Sequence, residues 1–245
     1  MKRLLCILIL LIPAVAFGSE SSKAFYDGIA HYEKGSYDEA LESFLSISGQ
    51  GIENGKLAYN LGNTYMQIGD LGRAVLWYDR AHRLMPADPD LTFNRNQALS
   101  QVKDRQEGTE NPVMSVLFFW KQGLSLKTLQ QLAVGLGVLF WGLLALAILL
   151  RKTPLKTAAA VSGALFLLLA STALWDTVSD VRIQKGVVLP QAVSVRSGLS
   201  DTATELFVLH AGSRVTVEQE RSGWVRIAFA QGKIGWVKKE SVGVI

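Results

Sequence analysis

The chain reads as a multidomain membrane protein of three architectures in series: all-α helical hairpins, a two-helix transmembrane hairpin and a small all-β barrel. Three observations carry that expectation. Two uncharged apolar segments, Leu132 to Leu150 and Thr157 to Trp175, are each long enough, at about 1.5 Å per residue, to cross a hydrocarbon core of roughly 30 Å. Before them, small and aromatic residues recur at a helical-repeat period, and after them apolar and polar residues alternate as in half-buried strands. The length of 245 residues leaves room for two small domains beside the membrane piece.

The first element, residues 1–18, has the layout of a secretory signal peptide. Lys2 and Arg3 precede an apolar run from Leu4 to Ile12, and small residues follow at Ala14, Ala16 and Gly18. Cleavage fits after Gly18 or after Ala16; the alternative is an uncleaved anchor, for which the apolar run is short. Either way the next segment is exported. The single cysteine, Cys6, lies inside this run without the small residues that a lipid-attachment site needs, so the mature chain would have no disulfide or thiol chemistry.

In residues 21–107, Gly28, Gly35, Ala40 and Phe44 recur as Gly62, Gly69, Ala74 and Tyr78, each offset by ~34 positions, the length of a tetratricopeptide repeat. Leu61, Gly62, Tyr65, Ala74, Tyr78, Ala81 and Pro86 fit that repeat throughout the second copy, whereas the first has Asp27 and His31 where Leu and Tyr are usual. Asp88 to Arg105 resembles one more first helix, the cap that a short solenoid requires, and Glu107 to Pro112 ends it. Such repeats hold a peptide or partner helix in a concave groove lined by the first helix of each hairpin. In this register Phe25, Ile29 and Tyr32, then Tyr59, Asn63 and Met66, then Phe93 and Gln97 line it. Asn60 and Asn94 sit one repeat apart, and an amide can donate to and accept from an extended backbone at once. The alternative is that these amides tie neighbouring helices together, since an unpartnered mid-helix Asn costs stability.

Residues 113–131 form a linker whose run Val113 to Trp120, too short to span, suits the outer membrane interface. Ser125 would cap the first membrane helix, with Lys127 near the headgroups. The spans, 132–150 and 157–175, are joined by 151–156, where Arg151, Lys152 and Lys156 stand without an acid. Lys and Arg resist translocation, so this turn is cytoplasmic, and both flanking modules share the opposite, extracytoplasmic side of a bacterial inner membrane. Trp175, Asp176 and Asp180 fit that outer face. Gly135, Gly137, Ser162 and Gly163 are small enough for close helix contact, as a helix interface or as ordinary lipid-facing residues. Neither span carries a charge, which argues against a transport path or proton relay.

The last module, 185–245, is β in character. Val193 to Arg196 and Val215 to Glu218 alternate apolar with polar, Ala211-Gly212 and Ser222-Gly223 punctuate them, and Trp224 to Ile227 with Ile234 to Val237 complete a hairpin. The order Val195-Arg196-Ser197-Gly198, Leu209-His210-Ala211-Gly212, Ser222-Gly223-Trp224 and Gly235-Trp236-Val237 resembles the bacterial SH3 domain. In a barrel this small Trp224 and Trp236 would be core or rim, and Gly235 would allow a tight bend.

Taken together, Tyr59-Asn60-Leu61-Gly62-Asn63-Thr64-Tyr65, Gly72 to Ala81, Pro86 and Asp88-Pro89-Asp90, within this order of modules, resemble the BatE proteins of the Bat aerotolerance operons. The resemblance implies a membrane-anchored scaffold working beside von Willebrand factor A domain membrane proteins and a MoxR-type ATPase, in envelope stress tolerance. Three classes of function follow: an adaptor for partner proteins, a peptidoglycan-binding envelope protein acting through the SH3-like module, and an enzyme. His31, His82 and His210 have no cysteine or paired metal ligands beside them, and Asp38-Glu39, Asp88 and Asp90 read as acids at helix N-termini, so no catalysis, metal or cofactor is expected. A formal net charge of +4 without a basic, aromatic-laced cluster implies no nucleic acid. Acids outnumber bases before the spans and bases outnumber acids after them, so the modules could attract each other or different partners; ordinary solvated surfaces are the plainer reading.

Overall fold

The computed structural model describes residues 20–104, 118, 120–182, 184–230 and 232–245. The expected signal peptide, 1–18, lies outside them, as do residues 105–117, which hold the expected end of the repeat domain and the start of the linker.

The N-terminal module is a right succession of helical hairpins: α1 (20–33), α2 (Tyr37–Ser48), α3 (Gly55–Ile68), α4 (Leu71–Leu84) and α5 (Pro89–Gln101). The repeat seen in the sequence is a repeat of contacts. Gly35 and Gly69 end α1 and α3 in the left-handed region, at φ of 77° and 85°. Each is followed by the same pair of bonds: Gly35 N–H to Tyr32 O and Ser36 N–H to His31 O, then Gly69 N–H to Met66 O and Asp70 N–H to Tyr65 O. A Cβ on Gly28 would lie 2.6 Å from Phe44 Cε1, and one on Gly62 would lie 2.6 Å from Tyr78 Cδ1. The missing side chains are what let an aromatic ring close each hairpin. Asn54, Asp70 and Asp88 cap α3, α4 and α5 through their side-chain oxygens, and Pro89 occupies a first-turn position of α5 where no N–H is missed.

After the short α6 (Trp120–Gly123), α7 (Leu126–Leu150) and α8 (Thr153–Arg182) form the hairpin, and both are long and apolar enough to cross a membrane. Ser125 Oγ accepts from Thr128 N–H at 3.3 Å and starts α7 upstream of the expected residue 132. The expected loop, 151–156, shortens to Arg151 and Lys152, because Pro154 is tolerated in the first turn of α8 and Arg151 takes a left-handed conformation at φ 53°. The helices interlock reciprocally. Phe166 meets the space at Gly137 and Phe140 the space at Gly163, with Ser162 buried between them, so three of the four small residues serve this hairpin while Gly135 faces open space. Lys121 Nζ pairs with Asp176 Oδ1 at 2.5 Å and ties α6 to the C-terminal part of α8.

The C-terminal module is a curled antiparallel sheet of β1 (Gln184–Val188), β2 (Ala192–Arg196), β3 (Glu205–His210), β4 (Arg214–Arg221), β5 (Trp224–Phe229), β6 (Lys233–Lys238) and β7 (Val242–Val244). Its order is β3-β2-β6-β5-β4-β1-β7. β1 starts at Gln184, directly after the end of α8 at Arg182 and the one residue between. Val188, Val195, Leu209, Val215, Val225, Ile227 and Val237 fill the interior. Gly235 is buried where β2 crosses β6, and a Cβ there would meet Val195 Cγ1 at 2.5 Å. Trp224 and Trp236 are half-buried on the face opposite Val225, Ile227 and Val237, hence rim rather than core.

Candidate peptide groove

The residues expected to line a groove fall into two groups. Phe25 and Tyr32 are half-buried: the Phe25 ring lies 6.0 Å from Phe44 and the Tyr32 ring 5.4 Å from Tyr37, and Tyr32 Oη also accepts from Gln67 Nε2 of α3 at 3.5 Å. Tyr59, Asn63 and Asn94 are brought together across α3 and α5. Asn94 Nδ2 donates to Tyr59 Oη at 2.8 Å and to Asn63 Oδ1 at 3.1 Å, and Tyr78 Oη of α4 donates to the same Asn63 Oδ1 at 2.7 Å. Burial pushes the Tyr78 phenol up, with the nearby Tyr59 and Tyr32 adding to the shift, so it stays a neutral donor.

Each amide is thus committed at one end only. Among the described residues nothing accepts from Asn63 Nδ2 or donates to Asn94 Oδ1, which leaves a fixed donor beside a fixed acceptor. The half-buried Asn60 gives its backbone carbonyl to Thr64 Oγ1 at 2.7 Å, and its side-chain amide has no partner among the described residues. Met66 is half-buried against the solenoid core. Phe93, on the next turn position before Asn94, is 69 % exposed.

Behind this surface the solenoid and barrel share one core, which the separate reading of each module missed. Val75 and Leu76 of α4 and Val102 after α5 pack with Val187, Leu189 and Ile245 of the barrel module. Glycines permit the approach: Gly72 lies under the Leu189 backbone, Gly243 under Leu76, and Gly212, at φ 82°, would place a Cβ 2.6 Å from Val102 Cγ2. Polar groups close the junction on either side. Arg214 Nε and Nη2 donate to Asp79 Oδ2 and Oδ1 at 2.8 and 2.6 Å, and Arg95 Nε donates to Asp79 Oδ1 at 2.6 Å. Arg80 Nε donates to the Val244 carbonyl at 3.1 Å while its guanidinium lies 4.6 Å over the Trp77 ring.

Asp104 is the second anchor. Its Oδ2 accepts from His210 N–H at 2.7 Å, His210 Nδ1 at 2.9 Å and Ser213 Oγ at 3.2 Å. With Nδ1 donating, His210 Nε2 accepts from Lys103 Nζ at 3.1 Å. Partial burial alone would raise the Asp104 carboxyl, but these bonds from His210 and Ser213 outweigh it and hold the group below its ordinary value. Opposite charges of the two modules meet at Asp79 and Arg214, and Asp104 joins them through hydrogen bonds from His210 and Ser213. The sequence signal for this was present in that asymmetry and in glycines such as Gly72 that no turn requires.

Among the described residues no group of three or more His, Cys, Asp and Glu side chains is placed to hold a metal. The bacterial SH3 domain family matches residues 191–243. The chain is also similar, over 129 residues, to the "Photosystem I assembly protein Ycf3" of Synechococcus sp. (strain WH7803), at 24% identity covering 49% of this chain and 75% of that protein. The protein of the same title from strain CC9311 is 23% identical over the same shares.

Proposed function

We propose that this chain is a membrane-anchored, non-catalytic scaffold that captures a partner protein in the solenoid groove and presents it outside the cytoplasmic membrane. One observation carries the reading: Asn63 Nδ2 and Asn94 Oδ1 are each held by a bond at the other end of the amide and have no partner among the described residues, and the residue before Asn94, Phe93, is exposed. A donor and an acceptor held in place next to an aromatic anchor suit the backbone and one side chain of a bound segment, at a lower ordering cost than free amides would incur. The shared core of solenoid and barrel favours both modules lying on one side of the hairpin, and the cationic turn at Arg151 and Lys152 supports that side being extracytoplasmic. Similarity to a chain titled an assembly protein favours scaffolding over chemistry. Within that class, a Bat-type envelope complex with von Willebrand factor A domain membrane proteins and a MoxR-type ATPase is the setting the sequence resembles.

A second reading, peptidoglycan binding through the SH3 domain, rests on a different face. Trp224 and Trp236 are half-buried on the outer side of β5 and β6, with Arg226 in register opposite Trp236, and these strands lie away from β1 and β7 at the junction. A photoreactive residue placed at Phe93, and separately at Trp236, in native membranes discriminates the readings. Crosslinks to a protein from Phe93 that are lost on Asn63→Ala with Asn94→Ala support the scaffold. Retention on isolated sacculi that is lost on Trp236→Ala supports the second reading, and neither result refutes both.

A further inference from the structure

We infer that the SH3 barrel positions the solenoid groove through helix α5, which is tied to the barrel by Asp79 of α4 and by the residues that follow it. This rests on the groove reading above. Two adjacent pairs carry it. On α4, Tyr78 reaches Asn63 in the groove and its neighbour Asp79 takes Arg214 of the barrel. On α5, Asn94 joins the groove network and its neighbour Arg95 binds the same Asp79 carboxylate. Groove and junction are thus two polar networks set back to back on the same two helices, one residue out of phase.

Helix α5 is the element that needs such support. It is the last described helix of the solenoid, no further hairpin covers it among the described residues, and its buried residues are Leu91 and Ala98. A terminal helix in a repeat array frays unless something caps it. Here the barrel reaches α5 indirectly, at three places: Arg214 through Asp79 of α4 to Arg95, Gly212 against Val102 and His210 with Ser213 on Asp104, the last two just beyond the end of α5. Undocking the barrel would release α5, and with it Phe93 and Asn94, while the first hairpin keeps its own contacts. By reciprocity, a segment bound in the groove would tighten the barrel on the solenoid. Asp79, Arg95 and Arg214 are therefore positioning residues for the groove, which none of them touches.

Hydrogen exchange on the full chain in lipid nanodiscs tests this without a partner. Arg214→Met removes one cation and keeps the Arg95–Asp79 pair. The expected result is exchange about tenfold faster over residues 91–101, with α2 and the α7–α8 hairpin unchanged. Arg214→Lys should restore part of the protection. In the cycle of Asn94→Ala with Arg214→Met the two effects on α5 should be non-additive. Exchange in α5 within about twofold of the parent, or strictly additive effects, overturns the proposal. Asp104→Asn, at the other anchor, is read in the same way, and equal loosening of α2 and α5 in both variants also overturns it. Capture at Phe93 with α5 unmoved by Arg214→Met refutes the coupling alone; a faster α5 with no capture refutes the groove alone.

Discussion

Arg214 of the barrel and Asp79 of the solenoid, 135 positions apart, meet in a two-point contact at 2.8 and 2.6 Å on a carboxylate that is 5% exposed. Arg95 shares that carboxylate, so one buried anion holds two cations from different modules. The arrangement is asymmetric in what its loss would cost. Removing either Arg leaves a paired carboxylate, but removing the acid leaves two guanidinium groups facing each other in a partly buried site.

Asp79→Ala should therefore destabilise the full chain by about 3–5 kcal/mol, and Arg214→Met by clearly less. Denaturant unfolding followed by circular dichroism measures both, and equal costs would contradict the sharing of the carboxylate.

Acid should loosen the junction through Asp104. Its folded pKa lies below the unfolded value, so the stability it contributes is present above the unfolded carboxylate value of about 3.9 and is lost as pH falls through the folded value. Melting temperatures taken between pH 7 and pH 3 should fall at the acid end in the parent, about the unfolded carboxylate value and below. In Asp104→Asn the starting stability should be lower and that part of the acid dependence absent. An identical acid profile in both would exclude Asp104 as an anchor.

Gly62→Ala puts a methyl group 2.6 Å from the Tyr78 ring, and Gly28→Ala does the same against Phe44. Each should cost about 1–3 kcal/mol by overpacking, despite the helix preference of Ala. Thermal unfolding of the two variants would show similar losses if the repeats pack alike, and a stabilised variant would disprove the contact.

Cysteine labelling checks the sidedness. In a Cys6→Ser background, the exposed positions Lys34→Cys and Lys233→Cys should react with a membrane-impermeant maleimide in spheroplasts, and Lys152→Cys only after permeabilisation. Opposite labelling of the first two would be incompatible with the core that solenoid and barrel share.

What the sequence disclosed follows the range of the forces involved. The Gly28/Gly62 and Gly35/Gly69 positions were legible because a close approach and a left-handed turn each demand a glycine locally. β2, β4, β5 and β6 were legible from alternation, whereas the short β7 pairs only with β1, and both belong to the junction where the solenoid, not solvent, covers a face. Asp27 and His31 depart from the repeat at places on α1 that are exposed and half-buried, where a polar side chain is tolerated. Asp79 looks like any charge on a helix surface. Only the fold brings Arg214 to it, and that pairing is non-local by 135 positions.

The single residue between α8 and β1 sets a distance limit. Fully extended, one residue reaches about 3.5 Å, so the barrel has little freedom relative to the end of α8, and the solenoid docked on it shares that confinement. In a bilayer-embedded hairpin that short link would make barrel and solenoid follow the end of α8 as one unit.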